Sequence, residues 1–126
     1  NVRGIRQILN VHPDPLYDYV GRHFMREPAW RDGMRVLAGC PNIAAKISGL
    51  GMTDHSWSVE SIRPYVLETI DAFGVGRCMF ASNFPVDRLY GSYGAIWAAF
   101  AETIRGGSEA EKVALFRENA ERIYRI

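Results

Sequence analysis

Short apolar stretches alternate along the chain with longer segments in which apolar residues recur every three or four positions. The short stretches are 2–9, 41–51 and 77–82, and each has the length and apolar content of a buried β-strand. The longer segments have the spacing of amphipathic helices that bury one face. Apolar strands separated by helices are typical of parallel βαβ units, so the pattern predicts an α/β fold.

Local start and stop signals set the bounds of the first three predicted helices. One helix is expected from Pro15, and Pro28 begins a second that ends at Gly39. Ser58 is the expected N-cap of a third helix, which closes at Gly74. Since proline lacks a backbone N–H, Pro64 is expected in or near the first turn of that helix, where the loss is tolerated.

Two more helices follow the third strand. The first is predicted from Leu89 to a Gly-Gly stop, with these apolar residues on one face: Leu89, Tyr93, Ile96, Trp97, Phe100 and Ile104. The second begins at Ser108, which forms a capping box with Glu111. Its spacing predicts a buried face made of Val113, Phe116, Ala120 and Ile123.

Size and charge restrict the class of protein. The 126 residues suit a single domain spanning 1–126, and 48% of them are hydrophobic, as in globular proteins. A formal charge of +1 and the lack of a long apolar run argue against binding to nucleic acid or to a membrane. Cys40 and Cys78 are isolated, without zinc or redox spacing, so a reducing cytoplasmic location is expected, with Cys78 buried in its strand.

Candidate chemistry lies where the strands end, because parallel α/β folds gather their functional groups at the carboxyl ends of strands. His12 follows the first strand and is either a metal ligand, a general base or an ordinary turn histidine. Lys46 is either a cation for an acidic substrate, a nucleophile, or a structural lysine held by a carboxylate. Ser48 shares its side of the strand, and Asn83 ends the third strand.

Several stretches together resemble one family. They are VRGIRQIL…HPDP, CPNIAAKISGLGM, WSVESIRPYV, FGVGRCMFASNFPVD and LFRENAERIYRI. These stretches are similar to the amidohydrolase-2 family of TIM-barrel hydrolases, which includes sugar and dicarboxylate lactonases. A complete barrel takes about 250 residues, so the resemblance implies a partial (β/α)8 TIM barrel, about half of one. The chain is then either a fragment, consistent with its start at Asn1, or a short form with an internal deletion.

The resemblance also gives Asn83 a particular meaning. In the family, the last barrel strand ends in a Ser-Asp-x-Pro type stretch, whose Asp binds metal or activates water, and Asn83 occupies that position. An amide cannot take a proton from water as a carboxylate does. The family's His-x-His pair is absent as well, so no metal ligands and no cofactor are predicted, although family members use a divalent metal such as zinc.

Two functions of different classes follow from the resemblance. The first is a hydrolase that opens a small lactone, or cleaves an ester or amide, by water attack. Asn83 would orient substrate or water, Asp87 or His12 would be the general base, and the substrate would be bound by Arg6, Lys46 and Ser48. The second is an inactive half-barrel with a structural role. Three parallel strands leave two open edges, so a homo-oligomer is expected in either case.

Overall fold

Helices and short parallel strands alternate in the computed structural model, which describes residues 28–126. The first predicted strand and helix, with Arg6 and His12, lie outside the described residues. The main elements are α1 (Pro28–Ala38), β1 (Ala45–Ile47), α2 (Val59–Phe73), β2 (Cys78–Phe80) and α3 (Tyr93–Thr103). Within this part of the chain, no helix has both the length and the apolar character needed to cross a bilayer.

The two strands form a parallel pair, as predicted. Ala45 lies opposite Cys78 and Ile47 opposite Phe80, and the carbonyl of Ile47 accepts a hydrogen bond of 3.0 Å from the N–H of Ala81. Both strands are shorter than the predicted segments. The 41–51 segment leaves the sheet after β1, because the chain turns into a 3₁₀ turn, Leu50–Met52.

Helices pack against this sheet around one apolar core. The core consists of Ile47, Val66, Phe73, Cys78, Phe80, Ile96, Phe100, Ile104 and Leu115. The ring of Phe80 stacks on Phe100 with centroids 4.4 Å apart, which joins β2 to α3. Cys78 is fully buried, which confirms the predicted thiol, whereas Lys46 is exposed between two inward-facing neighbours on β1.

A side-chain cap begins α2 where the sequence predicted it. Ser58 and Ser61 form a reciprocal capping box at the start of α2, and Gly74 ends that helix. The expectation for Pro64 was wrong. It lies inside α2, past the first turn, and therefore leaves the carbonyl four residues earlier without its usual helical donor.

The prediction for α3 was wrong in its first turn. The helix begins at Tyr93 and is capped by Ser92, whose hydroxyl accepts a hydrogen bond from the N–H of Ala95. Leu89 ends a separate 3₁₀ turn, Val86–Leu89, and is 76% exposed rather than part of the buried face. A serine cap inside the apolar pattern was the signal that the prediction passed over.

The C-terminal helix contains a π turn that changes its buried face. It consists of α4 (Glu109–Val113), the π turn Ala114–Glu118 and α5 (Asn119–Tyr124), and the capping box at Ser108 is confirmed. Because a π turn holds about one extra residue, it rotates the following segment by about 100°. Asn119 follows the π turn and is buried, as is Leu115 within the turn. The prediction of a buried Val113 was also wrong, because this residue, which precedes the π turn, is 39% exposed.

Arg77, which directly precedes β2, connects the start of this strand to the ends of α1 and α2. Its guanidinium donates hydrogen bonds to the carbonyl oxygens of Ala38, Cys40, Ile43 and Phe73, at 2.8 to 3.4 Å. The carbonyls of Ala38 and Phe73 end α1 and α2, where helical partners run out, and the other two lie in the loop between α1 and β1. One cation therefore satisfies acceptors from three segments, α1, the loop before β1 and α2, and holds them together at the amino-terminal end of β2.

Candidate active site

The exits of β1 and β2 lie side by side, because parallel strands end at the same edge of a sheet. After β1 the chain passes through Gly49, whose φ of 73° is left-handed. A Cβ at this position would lie 3.2 Å from the side-chain nitrogen of Asn83. Only glycine gives this backbone both the conformation and the space, so the first exit is shaped to receive the second.

Asn83 leaves β2 in an unusual backbone conformation. Its φ of 56° is left-handed, which asparagine tolerates better than most residues, and a cis peptide bond joins Phe84 to Pro85. The hydroxyl of Ser82 accepts a hydrogen bond of 3.2 Å from the N–H of Phe84. A left-handed φ is uncommon for a residue other than glycine, and here this conformation of Asn83 places one polar side chain at the strand exit.

The amide of Asn83 contacts two hydrogen-bond acceptors. Its nitrogen Nδ2 donates to Oδ1 of Asp87 at 2.8 Å and lies 3.1 Å from the sulfur of Met52. The structure thus brings together two predicted site residues, Asn83 and Asp87, and adds Met52, which the sequence did not identify. The contact between Asn83 and Asp87 could have been expected from their spacing of four residues, because side chains at this spacing also meet across one turn of a helix.

Asp87 is a buried carboxyl group. It is 3% exposed and faces a small cavity. The rest of the cavity is lined by loop backbone and by apolar side chains, among them Ile62, Ile96 and Phe100. Burial raises the pKa of Asp87 above its ordinary value, and the hydrogen bond from Asn83 opposes this rise. Burial is the larger effect, so the carboxyl takes up a proton at a higher pH than an exposed aspartate does.

A second connection joins the two exits above this pair. Trp57 donates a hydrogen bond of 3.1 Å from Nε1 to the carbonyl of Tyr90. The exposed imidazole of His55 stacks on the ring of Tyr90, with centroids 4.4 Å apart and planes 4° apart. Sequence reasoning did not identify Tyr90, because its partners lie more than 30 positions away. Together these contacts hold the loop after β2 against the loop after β1.

The other predicted site residues are placed less closely. Ser48 follows β1 directly and is half-buried, next to Gly49 at the first exit. Lys46 is exposed within β1, and among residues 28–126 no carboxylate forms a salt bridge with it. No hydrogen bond in this part of the structure joins Lys46 or Ser48 to Asn83 or Asp87. Arg6 and His12 lie outside the described residues.

The described residues do not fit a zinc ion by themselves. From 28 to 126, no three His, Cys, Asp or Glu side chains are grouped so that they could hold a metal ion. At Asn83 the nitrogen donates to Asp87, so that only Oδ1 could face a cation. One neutral amide oxygen is a weak zinc ligand compared with the imidazole, thiolate and carboxylate groups that normally bind this metal.

Comparisons with known proteins agree on one family. A family model described as amidohydrolase matches residues 8–126. The uncharacterized protein y4mH of Sinorhizobium fredii is 59% identical over 97 residues, which cover 77% of this chain and 33% of that protein. An L-fucono-1,5-lactonase of Burkholderia ambifaria is 38% identical over 109 residues, covering 80% of this chain and 37% of the lactonase.

A solved structure supports the same relationship. The crystal structure of an amidohydrolase from Burkholderia multivorans with bound zinc superposes with a TM-score of 0.76 and 30% identity, over 85% of this chain and 40% of that one. The described residues thus form part of a TIM barrel, which confirms the predicted fold class. The chain spans about a third of the length of the curated relatives that it matches.

Proposed function

Since the chain belongs to the amidohydrolase family, we propose that it forms part of a hydrolase that opens a small lactone, or cleaves a related ester or amide, by attack of water. The observation that carries this proposal is the pair of adjoining strand exits, with Asn83 held in a left-handed conformation between them. The relative named L-fucono-1,5-lactonase favours a sugar lactone within this class.

The proposal gives each candidate residue a role. Asn83 orients the attacking water or the substrate. The general base is His12 or Asp87, and the raised pKa of Asp87 brings this carboxyl closer to the range in which a base works at neutral pH. Its burial argues the other way, because a base must reach the water that it activates, and Asp87 is only 3% exposed.

Substrate binding is assigned to polar groups around the exits. Ser48 lies beside Gly49 at the first exit, and the exposed Lys46 lies two residues earlier, in β1. A cation and a hydroxyl suit an acidic or a polyhydroxylated small molecule. Arg6 completes this set in the proposal.

The site requires more strands than the described part of the chain contains. A TIM barrel closes with eight strands, whereas residues 28–126 form a sheet of two. Exposed apolar side chains lie on the turn and helix after the second exit, namely Val86, Leu89 and Tyr93, at 38%, 76% and 54% exposure. We propose that a second copy of the chain, or a longer polypeptide, supplies the missing strands and covers this surface.

Light scattering after size-exclusion chromatography tests the assembly. A dimer or larger species at micromolar concentration is the expected result for the isolated chain. A well-folded monomer under the same conditions would contradict completion by a second copy.

A lactone screen tests the activity. The oligomer, or a longer form that completes the barrel, is given L-fucono-1,5-lactone and other sugar lactones, and acid release is followed with a pH indicator. Asn83→Ala is expected to lower kcat/KM at least about tenfold, which corresponds to 1.4 kcal/mol of transition-state stabilisation. Asn42→Ala, a substitution at an exposed asparagine in the turn that precedes β1, is the matched control. Absence of turnover with every lactone would contradict the proposal.

A catalytically inactive half-barrel is the second candidate. It is favoured by the amide of Asn83, at a position where the resemblance implies a carboxylate, and by the observation that the nearby Asp87 is buried and already hydrogen-bonded. Metal analysis and the same screen separate the two. Bound metal, or turnover that is lost in Asn83→Ala, excludes the inactive form.

A further inference from the structure

We infer that Asp87 is a positioning residue, which fixes the Asn83 amide so that its oxygen Oδ1, and not its nitrogen, is offered to a ligand at the strand exit. This position then accepts hydrogen bonds and donates none. The consequence for the substrate, which rests on the proposed function, is a preference for a neutral polyhydroxylated lactone over a lactone that carries a carboxylate.

The partners of the amide determine its orientation. Nδ2 lies 2.8 Å from a carboxylate oxygen of Asp87 and 3.1 Å from the Met52 sulfur, and both atoms are acceptors. Turning the amide over would bring its oxygen against these two acceptors. The two N–H groups of Asn83 are therefore directed inward, and among residues 28–126 no donor contacts Oδ1.

The surrounding backbone keeps the amide in place. The N–H of Asp87 also donates to the carbonyl of Asn83 at 3.3 Å, so that main chain and side chains close the same turn. Gly49 packs against the amide from the first exit, where a Cβ would lie 3.2 Å from Nδ2, closer than most Cβ contacts. The Asp87 side chain is itself buried, which limits the number of positions that it can take.

A fixed acceptor discriminates among ligands by their hydrogen-bonding groups. A hydroxyl or a water donates to Oδ1, whereas a carboxylate oxygen or a carbonyl oxygen at the same place faces another acceptor. Leaving two acceptors in contact without a proton between them costs binding free energy. Lys46 and Ser48 suit either an acidic or a polyhydroxylated substrate. The fixed acceptor at Asn83 favours the polyhydroxylated one.

Nuclear magnetic resonance tests the orientation without any need for activity. In the ¹⁵N-labelled chain, the side-chain NH₂ signals of Asn83 are assigned through their loss in Asn83→Ala. Their exchange with water is expected to be at least about tenfold slower than that of the exposed Asn42 amide, because both N–H groups are engaged. Equal exchange rates for the two amides would overturn the inference.

Substitution of the positioning residue gives a second readout. Asp87→Asn replaces a pure acceptor by an amide that can face Asn83 with either end, so the Asn83 NH₂ signals are expected to shift and exchange faster. Asp71→Asn, at an exposed carboxylate on α2, is the matched control and is expected to leave these signals unchanged. Equal responses to both substitutions contradict the inference, and if Asp87→Asn does not fold, the wild-type exchange rates decide.

A pair of lactones tests the preference for substrate. The wild-type assembly is expected to favour a neutral aldonolactone over a matched lactone bearing a carboxylate by about tenfold or more in kcat/KM. As a positioning residue rather than the general base, Asp87 can be replaced with turnover retained, so Asp87→Asn is expected to narrow this ratio and Asp71→Asn to preserve it. Loss of all turnover in Asp87→Asn alone would contradict the positioning role and favour Asp87 as the general base. A preference for the charged lactone would refute the substrate part. If the Asn83 NH₂ protons exchange slowly but no lactone is hydrolysed, the proposed function is refuted. The inference about the amide orientation is then still supported.

Discussion

Asn119 is expected to contribute several kilocalories per mole to the stability of the fold. The residue is 4% exposed, and its Nδ2 donates to the carbonyl oxygens of Val75 at 2.7 Å and Cys78 at 2.8 Å. Its Oδ1 accepts from Arg122 at 3.1 Å. One side chain thus joins the C-terminal helix to the start of β2, and Asn119→Ala removes this connection.

The magnitude follows from the two acceptors. The Val75 carbonyl keeps a second donor, the N–H of Cys78, so the substitution costs about 1 kcal/mol there. The Cys78 carbonyl lies in the buried part of the contact, and the loss of its donor costs about 1–3 kcal/mol. We therefore expect Asn119→Ala to lower the free energy of unfolding by about 2–4 kcal/mol, a large share of the 5–15 kcal/mol typical of a domain.

Urea denaturation followed by tryptophan fluorescence measures this loss. Trp97 packs against Phe116 on the C-terminal helix, with ring centroids 5.6 Å apart, so its emission reports on docking of that helix. Asn42→Ala is the control and is expected to change the free energy of unfolding by less than about 0.5 kcal/mol, as exposed substitutions do. Equal midpoints for the two variants would refute the reasoning.

Asn119→Asp gives a further check through pH. The aspartate has nearly the same shape, but in its ionised form it faces two carbonyl oxygens with no proton to donate. Protonation supplies one O–H donor, so this variant is expected to recover part of its stability, relative to the wild type, as pH falls through the pKa of the new carboxyl. Urea midpoints that stay equally far below the wild type across this range would contradict the hydrogen-bond explanation.

Three further predictions test other parts of the structure. Arg77→Lys is expected to lower the free energy of unfolding by about 1–3 kcal/mol, since an ammonium cannot reproduce the guanidinium's bonds to four carbonyls, and an unchanged urea midpoint would contradict this. Burial raises the pKa of Cys78 to about 12, so a thiol reagent such as DTNB should label Cys40 in the native protein and Cys78 only after denaturation; equal native labelling rates would be contrary evidence. The raised pKa of Asp87 means that the native state binds more protons than the unfolded state, so the free energy of unfolding should fall as pH rises from about 4 through that pKa. Asp87→Asn should remove this fall. Parallel pH profiles of the free energy of unfolding for the wild type and this variant would contradict the raised pKa.

The candidate site was only partly predictable from the sequence. Asn83 and Asp87 were singled out by their place after an apolar strand and by the family resemblance, and the structure brings their side chains into contact. Neither route indicated that these two side chains are in contact, which turns the amide nitrogen towards Asp87, or that Met52, 31 positions away in the chain, lies against the same nitrogen. The packing of Trp57 against the backbone of Tyr90 was missed as well.

The sequence by itself determined the features that depend on neighbouring residues. The serine caps before α2 and α4 and the parallel order of strands and helices were all predicted, since a cap acts within three residues and periodicity within one helix. Only the tertiary structure decided the lengths of the strands, the π turn that places Asn119 against β2, and the orientation of the Asn83 amide. These depend on contacts between residues 31 to 44 positions apart, and such contacts exist only once strands and helices have packed together.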